Sequence, residues 1–415
     1  MKIVDMKCAV IGHNPVVRII TDEGISGYGQ TEDTKFYLKP HIMFYQPYLI
    51  GADPTNVESV MLRIRRMGSF KPWGSAVSAI EMALWDIAGK AAGLPVYKLL
   101  GGKVRDKVRV YNGGIRFPMS GSEPQDYAEN VAKMKASPEG FSIIKQGIGF
   151  HSAMPRQVPD FYFGDEKPKQ IQAWSSKEYL SDSEFQKSAP HANRGLLTER
   201  GFKHVIACVE AMKDVLGDDV GLALDCGPGW MPTDVIRFAK AVEHLNLMWL
   251  EDTVNGDYNP YVLADVYRDI TMSTTTPIHT GEQIYLRHNF KELIEKQAVN
   301  VIGPDPADIG GIAELKWVAE YADLHGILMA PHGIFDGLIG LAAHVQVAAA
   351  LPHNYIGFEY PVARFDWWYD IVTGLPDPIV KDSMIEVWDR PGLGVDFNVE
   401  LAKNYLSEED KDFFD

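Results

Sequence analysis

From Asp225 onward, one short apolar run after another ends in an acid or a histidine: Asp225, Glu251, Glu282, Asp305, His332 and Glu359, at intervals of 26, 31, 23, 27 and 27 residues. Each interval has the length of one strand plus one helix. The runs read as strands: Ile143–Lys145, Val220–Asp225, Leu247–Glu251, Pro277–Gly281, Val299–Pro304, Ile327–Pro331 and Tyr355–Phe358. Between them lie stretches with helical periodicity, such as Pro232–His244, Ile312–Leu324 and Leu338–Ala350. Repeated strand–helix units predict a parallel sheet, and this many predict a closed α/β barrel of the TIM type. The alternative is an open, doubly wound sheet, but no Gly-rich dinucleotide loop follows the first strand, which favours the barrel. In a barrel all strand C-termini open on one mouth, so the spacing gathers distant ionisable residues, Lys145 included, into one pocket.

The first 105 residues follow a different rule. Alternation in Lys2–Ile11 and Val16–Thr21, a turn at Asp22-Glu23-Gly24 and the run Ile25–Gln30 predict an antiparallel meander. A helix follows over Ala76–Ala88, with Ile80, Ala83, Leu84 and Ile87 on one face and Gly93-Leu94-Pro95 beyond its end. Residues 1–105 therefore read as an α+β unit and 106–360 as the barrel. Residues 361–415, with Ile385–Trp388 and Arg390–Val395, read as a final strand and turn returning to the first unit. An insertion at 149–197, between the second barrel strand and its helix, holds prolines, aromatics and mixed charges. A loop this long inside a compact domain points to function or to an assembly surface, here of a homo-oligomer.

The chain has 415 residues and a net charge of −16, from 40 Lys and Arg against 56 Asp and Glu. That balance argues against nucleic acid or an anionic membrane as partner, since both require a basic footprint. It also requires a local positive centre to hold any anionic substrate. Three scattered cysteines (Cys8, Cys208 and Cys226) form neither a disulfide framework nor a zinc cluster, and the expected state is reduced and cytoplasmic. Neither a signal peptide nor an apolar run near the roughly 20 residues of a membrane span is expected.

Three carboxylates converging at a barrel mouth repel one another unless a cation lies between them. Oxygen-only ligation by Asp225, Glu251 and Glu282 suits Mg²⁺ or Mn²⁺ rather than zinc. Taken singly, each acid reads better as a helix cap or half of a surface ion pair than as a metal ligand. The three in successive units favour the metal.

These residues carry a resemblance. Asp225, Glu251 in Trp249-Leu250-Glu251-Asp252, and Glu282 in Thr280-Gly281-Glu282-Gln283 resemble the magnesium triad of the enolase superfamily. Asp305 in Pro304-Asp305-Pro306-Ala307-Asp308-Ile309-Gly310-Gly311, with His332 in Ala330-Pro331-His332-Gly333, is similar to the Asp–His dyad of its mandelate racemase group. Ser78–Lys90 and Leu99-Leu100-Gly101-Gly102 resemble that group's capping helix and linker. The resemblance implies a capping domain over a modified (β/α)₇β barrel, with Mg²⁺ as cofactor and a small-molecule carboxylate as substrate. His332 would be the base that removes the proton beside the carboxylate, with Asp305 orienting its imidazole. Lys145 would position or neutralise the substrate carboxylate, and Glu359 would hydrogen-bond or protonate the intermediate.

The chain departs from the family pattern at two places. Gly147 stands where a second lysine would complete a lysine base, which argues against racemisation, a reaction needing a base on each face. Gly227 replaces the Asn or His often found two residues after the first metal acid. Replacements in the insertion would be His151, Arg156, Tyr162 and His191; specificity would also involve Tyr28 and the segment Phe70–Trp73, with Trp73 as a substrate contact. Cys226 reads as a packing residue. The expectation is dehydration of an aldonic-type sugar acid to a 2-keto-3-deoxy acid. The alternatives are a cycloisomerase or epimerase sharing the first half-reaction, or a non-catalytic binding protein that has kept the fold.

Overall fold

The computed structural model describes residues 1–415 apart from 34, 69–72, 150–151, 164–195, 228, 255–261 and 362–364. The predicted meander is present as β1 (Ile3–Ile11), β2 (Asn14–Thr21) and β3 (Ser26–Gln30), paired antiparallel in that order. The predicted helix runs longer than its periodicity indicated, over Trp73–Ala92, and most of its residues are buried. It lies against β3 at very short range. A Cβ on Gly29 would stand 1.7 Å from the Ala79 carbonyl oxygen, and one on Gly27 2.2 Å from that of Ala83. The two glycines on one strand face thus let a helix backbone settle on the sheet.

Eight parallel strands follow: β4 (Lys107–Asn112), β5 (Ile143–Gly147), β6 (Gly221–Asp225), β7 (Trp249–Glu251), β8 (Ile278–Thr280), β9 (Val301–Ile302), β10 (Leu328–Met329) and β11 (Phe358–Tyr360). Neighbours in sequence are neighbours in the sheet, and β11 pairs with β4. A parallel bridge between Met329 and Tyr355 completes the ring, with Met329 N–H donating to Asn354 O at 2.9 Å and Ile356 N–H to Met329 O at 2.8 Å. Among the described residues each successive pair of strands is joined through a helix, as the barrel reading requires. Tyr111, Ile143, Ala223, Trp249, Val301 and Ala330 fill the interior, so the barrel is a packed core and only its mouth is available for chemistry.

The C-terminal strand differs from expectation in its partner. Met384–Glu386 pairs antiparallel with the barrel strand β4, not with the meander. Beyond it, contacts with the N-terminal unit do form. Leu393 N–H donates to Asp86 at 2.9 Å, and Arg18 donates to the Phe413 carbonyl at 2.8 Å. None of the described helices is long and apolar enough to cross a membrane.

A buried acid helps tie the first unit to the barrel. Glu81, fully buried on the helix Trp73–Ala92, accepts from the backbone N–H groups of Ile312 (2.7 Å) and Ala313 (2.9 Å). These belong to the otherwise unpaired donors that open the helix Ile312–Leu324. Gly311 makes the approach possible, because a Cβ there would lie 2.1 Å from Glu81 Oε2 and its φ is +111°. Replacing Glu81 by Ala would leave two buried N–H groups unpaired, a loss of about 2 kcal/mol or more. The expected outcome is a lowered thermal midpoint for Glu81→Ala with secondary structure retained, measured by circular dichroism.

Candidate active site at the barrel mouth

Strand register decides which side chains meet. Gly147 pairs with Asp225 and Asp225 with Glu251, so the ends of β5, β6 and β7 lie at one level. Lys145, two residues before Gly147, points to the same side of its strand. It is 1% exposed, and its Nζ lies 2.7 Å from Glu251 Oε1 and 3.1 Å from Glu359 Oε1. A buried ammonium is tolerated only when paired, and here it bridges two carboxylates carried by β7 and β11, which lie two strands away from β5 on either side. Glu251 also accepts from Trp249 Nε1 at 3.0 Å. Burial, reinforced by Asp225, Glu359 and Glu282, raises the Glu251 carboxyl above the usual carboxylate range in spite of Lys145.

On the far side of the mouth, His332 Nδ1 lies 2.7 Å from Asp305 Oδ2, while Ala307 N–H donates to the other Asp305 oxygen at 2.7 Å. The second ring nitrogen of His332 faces Glu282 Oε2 at 3.2 Å and Glu359 Oε2 at 3.7 Å. Burial disfavours the imidazolium, but Glu282, Asp305 and Glu359 outweigh it and raise the His332 pKa well above its ordinary value. Asp305, itself buried, fixes the orientation of the ring.

The structure thus brings Lys145, Asp225, Glu251, Glu282, Asp305, His332 and Glu359 into one electrostatic cluster. Five carboxyl groups face two cationic side chains, and a divalent cation fits that excess of negative charge. The three residues of the expected metal triad have separate protein partners: Glu251 lies on Lys145, Glu282 on His332, and Asp225 accepts from Gly227 N–H at 3.1 Å. Groups of three whose donor atoms all lie within 4.8 Å of one another occur at Glu32–Asp305–His332 and at Asp305–Asp336–His344.

Several of these neighbours were not foreseen. Glu32, just past β3, places Oε1 3.7 Å from His332 Nδ1. Lys35 is buried beside it and pairs with Glu32 and, at 2.9 Å, with Asp308. The signal available in sequence was faint: two acids and a lysine closely following an apolar strand. Asp308 stood inside the motif that named Asp305 but had no role assigned. Gly113 was silent as well. A Cβ there would fall 1.6 Å from Glu359 Oε1, so the end of β4 must be bare for that carboxylate to fit.

Other expected contacts lie elsewhere. Tyr28 is buried, with its ring edge-on to Phe397 and the Lys90 ammonium 5.4 Å from its centre. Trp73 is exposed and tilted against His41. The Tyr162 hydroxyl accepts from Trp230 Nε1 at 2.8 Å, a packing contact beneath the start of the insertion. His151, His191 and the side chain of Arg156 lie outside the described residues. The Cys226 thiol is buried, and burial beside Asp225 holds its pKa well above the ordinary thiol value, as a packing role requires.

Comparison with known proteins agrees with this geometry. Residues 8–101 match the mandelate racemase/muconate lactonizing enzyme N-terminal domain, and residues 180–401 match the enolase C-terminal domain-like family. The D-xylonate dehydratase of Haloferax volcanii is 30% identical over 98% of this chain and 89% of its own length. A D-mannonate dehydratase of Caulobacter vibrioides is also 30% identical, over 98% and 95%. Among solved structures, a mandelate racemase/muconate lactonizing enzyme-like protein from Rubrobacter xylanophilus superposes with a TM-score of 0.78 at 28% identity, covering 98% of both chains. A two-domain enzyme scaffold with an acid-ringed barrel mouth is what sequence and structure define. The chain belongs to the enolase superfamily, in the mandelate racemase/muconate lactonizing enzyme group.

Gly113→Ala tests the packing at Glu359 directly. The added methyl group should push Glu359 off Lys145. A crystal structure of the variant should show that displacement, together with an unchanged barrel.

Proposed function

We propose that this chain dehydrates an aldonic-type sugar acid to a 2-keto-3-deoxy acid with the help of Mg²⁺. The observation that carries the reading is the 2.7 Å contact between His332 and Asp305, placed so that the other imidazole nitrogen looks into the acid-ringed mouth. With Nδ1 held by Asp305, Nε2 is the nitrogen that faces the mouth and would exchange a proton with the substrate. The named relatives from Haloferax and Caulobacter are both sugar-acid dehydratases, which favours a lyase over the isomerase ending.

In this scheme His332 removes the proton on the carbon beside the substrate carboxylate. The C3–O bond then breaks, and the hydroxyl leaves as water with a proton that His332 is placed to return. The resulting enol tautomerises to the 2-keto acid, so that substrate and product differ by one water. Lys145 neutralises charge on the side of the site formed by Glu251 and Glu359. Asp225, Glu251 and Glu282 would hold the metal through oxygen, the donor type that Mg²⁺ prefers. When bound, the metal supplies positive charge against the substrate carboxylate, where negative charge builds up.

Incubating the enzyme with a panel of sugar acids and Mg²⁺ should yield a 2-keto-3-deoxy acid from at least one member, detected by a carbonyl-specific reagent. Chelation should abolish turnover, and added Mg²⁺ should restore it. Full activity in excess chelator, or in Glu251→Gln, would remove the metal from the reading.

His332→Asn should lower turnover by about 10²–10⁴-fold, the range for a positioned base. Because β5 presents Gly147 where a second base would stand, deuterium from heavy water should enter a single C2 configuration. Label in both C2 epimers of the recovered acid would replace the one-base dehydratase with an epimerase.

A further inference from the structure

Behind the Asp305–His332 pair lies a second buried acid and imidazole. Asp336 is 2% exposed and His344 1%, and His344 Nε2 lies 3.0 Å from Asp336 Oδ2. One oxygen each of Asp305 and Asp336 and one nitrogen of His344 all lie within 4.8 Å of one another. The helix carrying His344, Leu338–Ala349, is buried along its length and otherwise almost wholly apolar, so a small apolar residue would serve packing there. Neither Asp336 oxygen and neither His344 nitrogen completes a hydrogen bond of ordinary geometry. Two buried polar groups held in this way cost stability and call for a reason other than packing.

The contacts of His344 supply one. Its ring stacks on Phe358, centroids 4.6 Å apart and planes 11° from parallel, and Phe358 immediately precedes Glu359 on β11. Its edge faces the backbone that carries His332, close enough for the His332 carbonyl to act on the ring's protonation. Gly333 makes room for this. A Cβ there would lie 2.8 Å from His344 Nε2 and 2.8 Å from the Glu359 carbonyl oxygen. Asp336 closes the same turn, its N–H donating to the Gly333 carbonyl at 3.1 Å. One imidazole therefore touches both segments that bear the acid–base groups of the mouth.

We infer that His344, oriented by Asp336, is a positioning residue that sets His332 and Glu359 relative to one another by holding the backbone of each. Burial keeps His344 neutral, with its pKa lowered to about 4, so the ring carries a single N–H to share between the two acceptors beside it, Asp336 and the His332 carbonyl. Misplacement of a reacting group by about 1 Å costs roughly 10²-fold in rate. A ring that governs the 3.7 Å between His332 Nε2 and Glu359 Oε2 acts on that scale. The inference rests on the dehydratase reading for its kinetic consequence, though not for its structural one.

The test uses His344→Phe, which keeps a flat ring on Phe358 and removes both nitrogens, and Asp336→Asn. Both should lower kcat by about 10- to 100-fold, leave KM within a few-fold of wild type and leave the thermal midpoint of His344→Phe undiminished. Independently of turnover, enzyme labelled with ¹⁵N-histidine should show the His332 ring signals, assigned by their loss in His332→Asn, moved in both variants at a single fixed pH. If His344→Phe fails to fold, His344→Gln carries the same measurements. Wild-type kcat in the variants, or His332 signals superposable on those of the wild type, would overturn the inference. A wild-type enzyme that forms no keto acid from any sugar acid would instead remove the dehydratase reading, and the ring signals would still decide the positioning role.

Discussion

Crowding of negative charge at one end of a sealed barrel governs the rest of this structure. Five carboxyl groups meet where water is largely excluded, and like charges in such a place raise one another's proton affinity. Each neighbouring feature answers that problem locally. Lys145 is drawn to full burial because it lies between Glu251 and Glu359. His332 is held between Asp305, Glu282 and Glu359 for the same reason, and those acids favour its protonated form. Lys35 from the N-terminal unit does similar service for Glu32 and Asp308. The cationic side chains of the mouth therefore share one cause: each is held where acids surround it.

The barrel mouth also explains why the chain needs its first unit. A packed barrel interior, filled here by Tyr111, Trp249 and their neighbours, leaves no cavity of its own. A pocket exists only if something covers the loops. The meander and the helix Trp73–Ala92 provide that cover and send Glu32 toward His332, so the cover contributes charge as well as walls.

Much of this was legible in the sequence, and the parts that were share a physical reason. The barrel showed itself because strand–helix units repeat with nearly constant length, and the acids showed themselves because each ends an apolar run. Asp305 and His332 were placed together by their spacing, and the structure brings them to 2.7 Å. Contacts across the two units were illegible. Glu32 and Lys35 reach the site through a fold of the chain whose partners lie some 300 residues away, and no periodicity encodes such a meeting. Gly113 was hidden for another reason: its contribution is the absence of a side chain, which is visible only once Glu359 occupies the space. His344 read as one residue of an apolar helix, and only the ring stacked on Phe358 distinguishes it. The C-terminal strand was recognised as a strand, but its pairing with the β4 edge was not.

The helix Trp73–Ala92 holds at both ends of its central turn, and this restricts how the molecule can move. Glu81 grips the start of a barrel helix, and Asp86, one turn later, accepts from β3 at Tyr28 and from the C-terminal tail at Leu393. Swinging the whole cover away would strip the buried Glu81 of its two backbone donors on the barrel, which favours a fixed roof over a hinged door. Any traffic of substrate and product would then pass at the eaves, beside the roof beam rather than beneath a lifted lid.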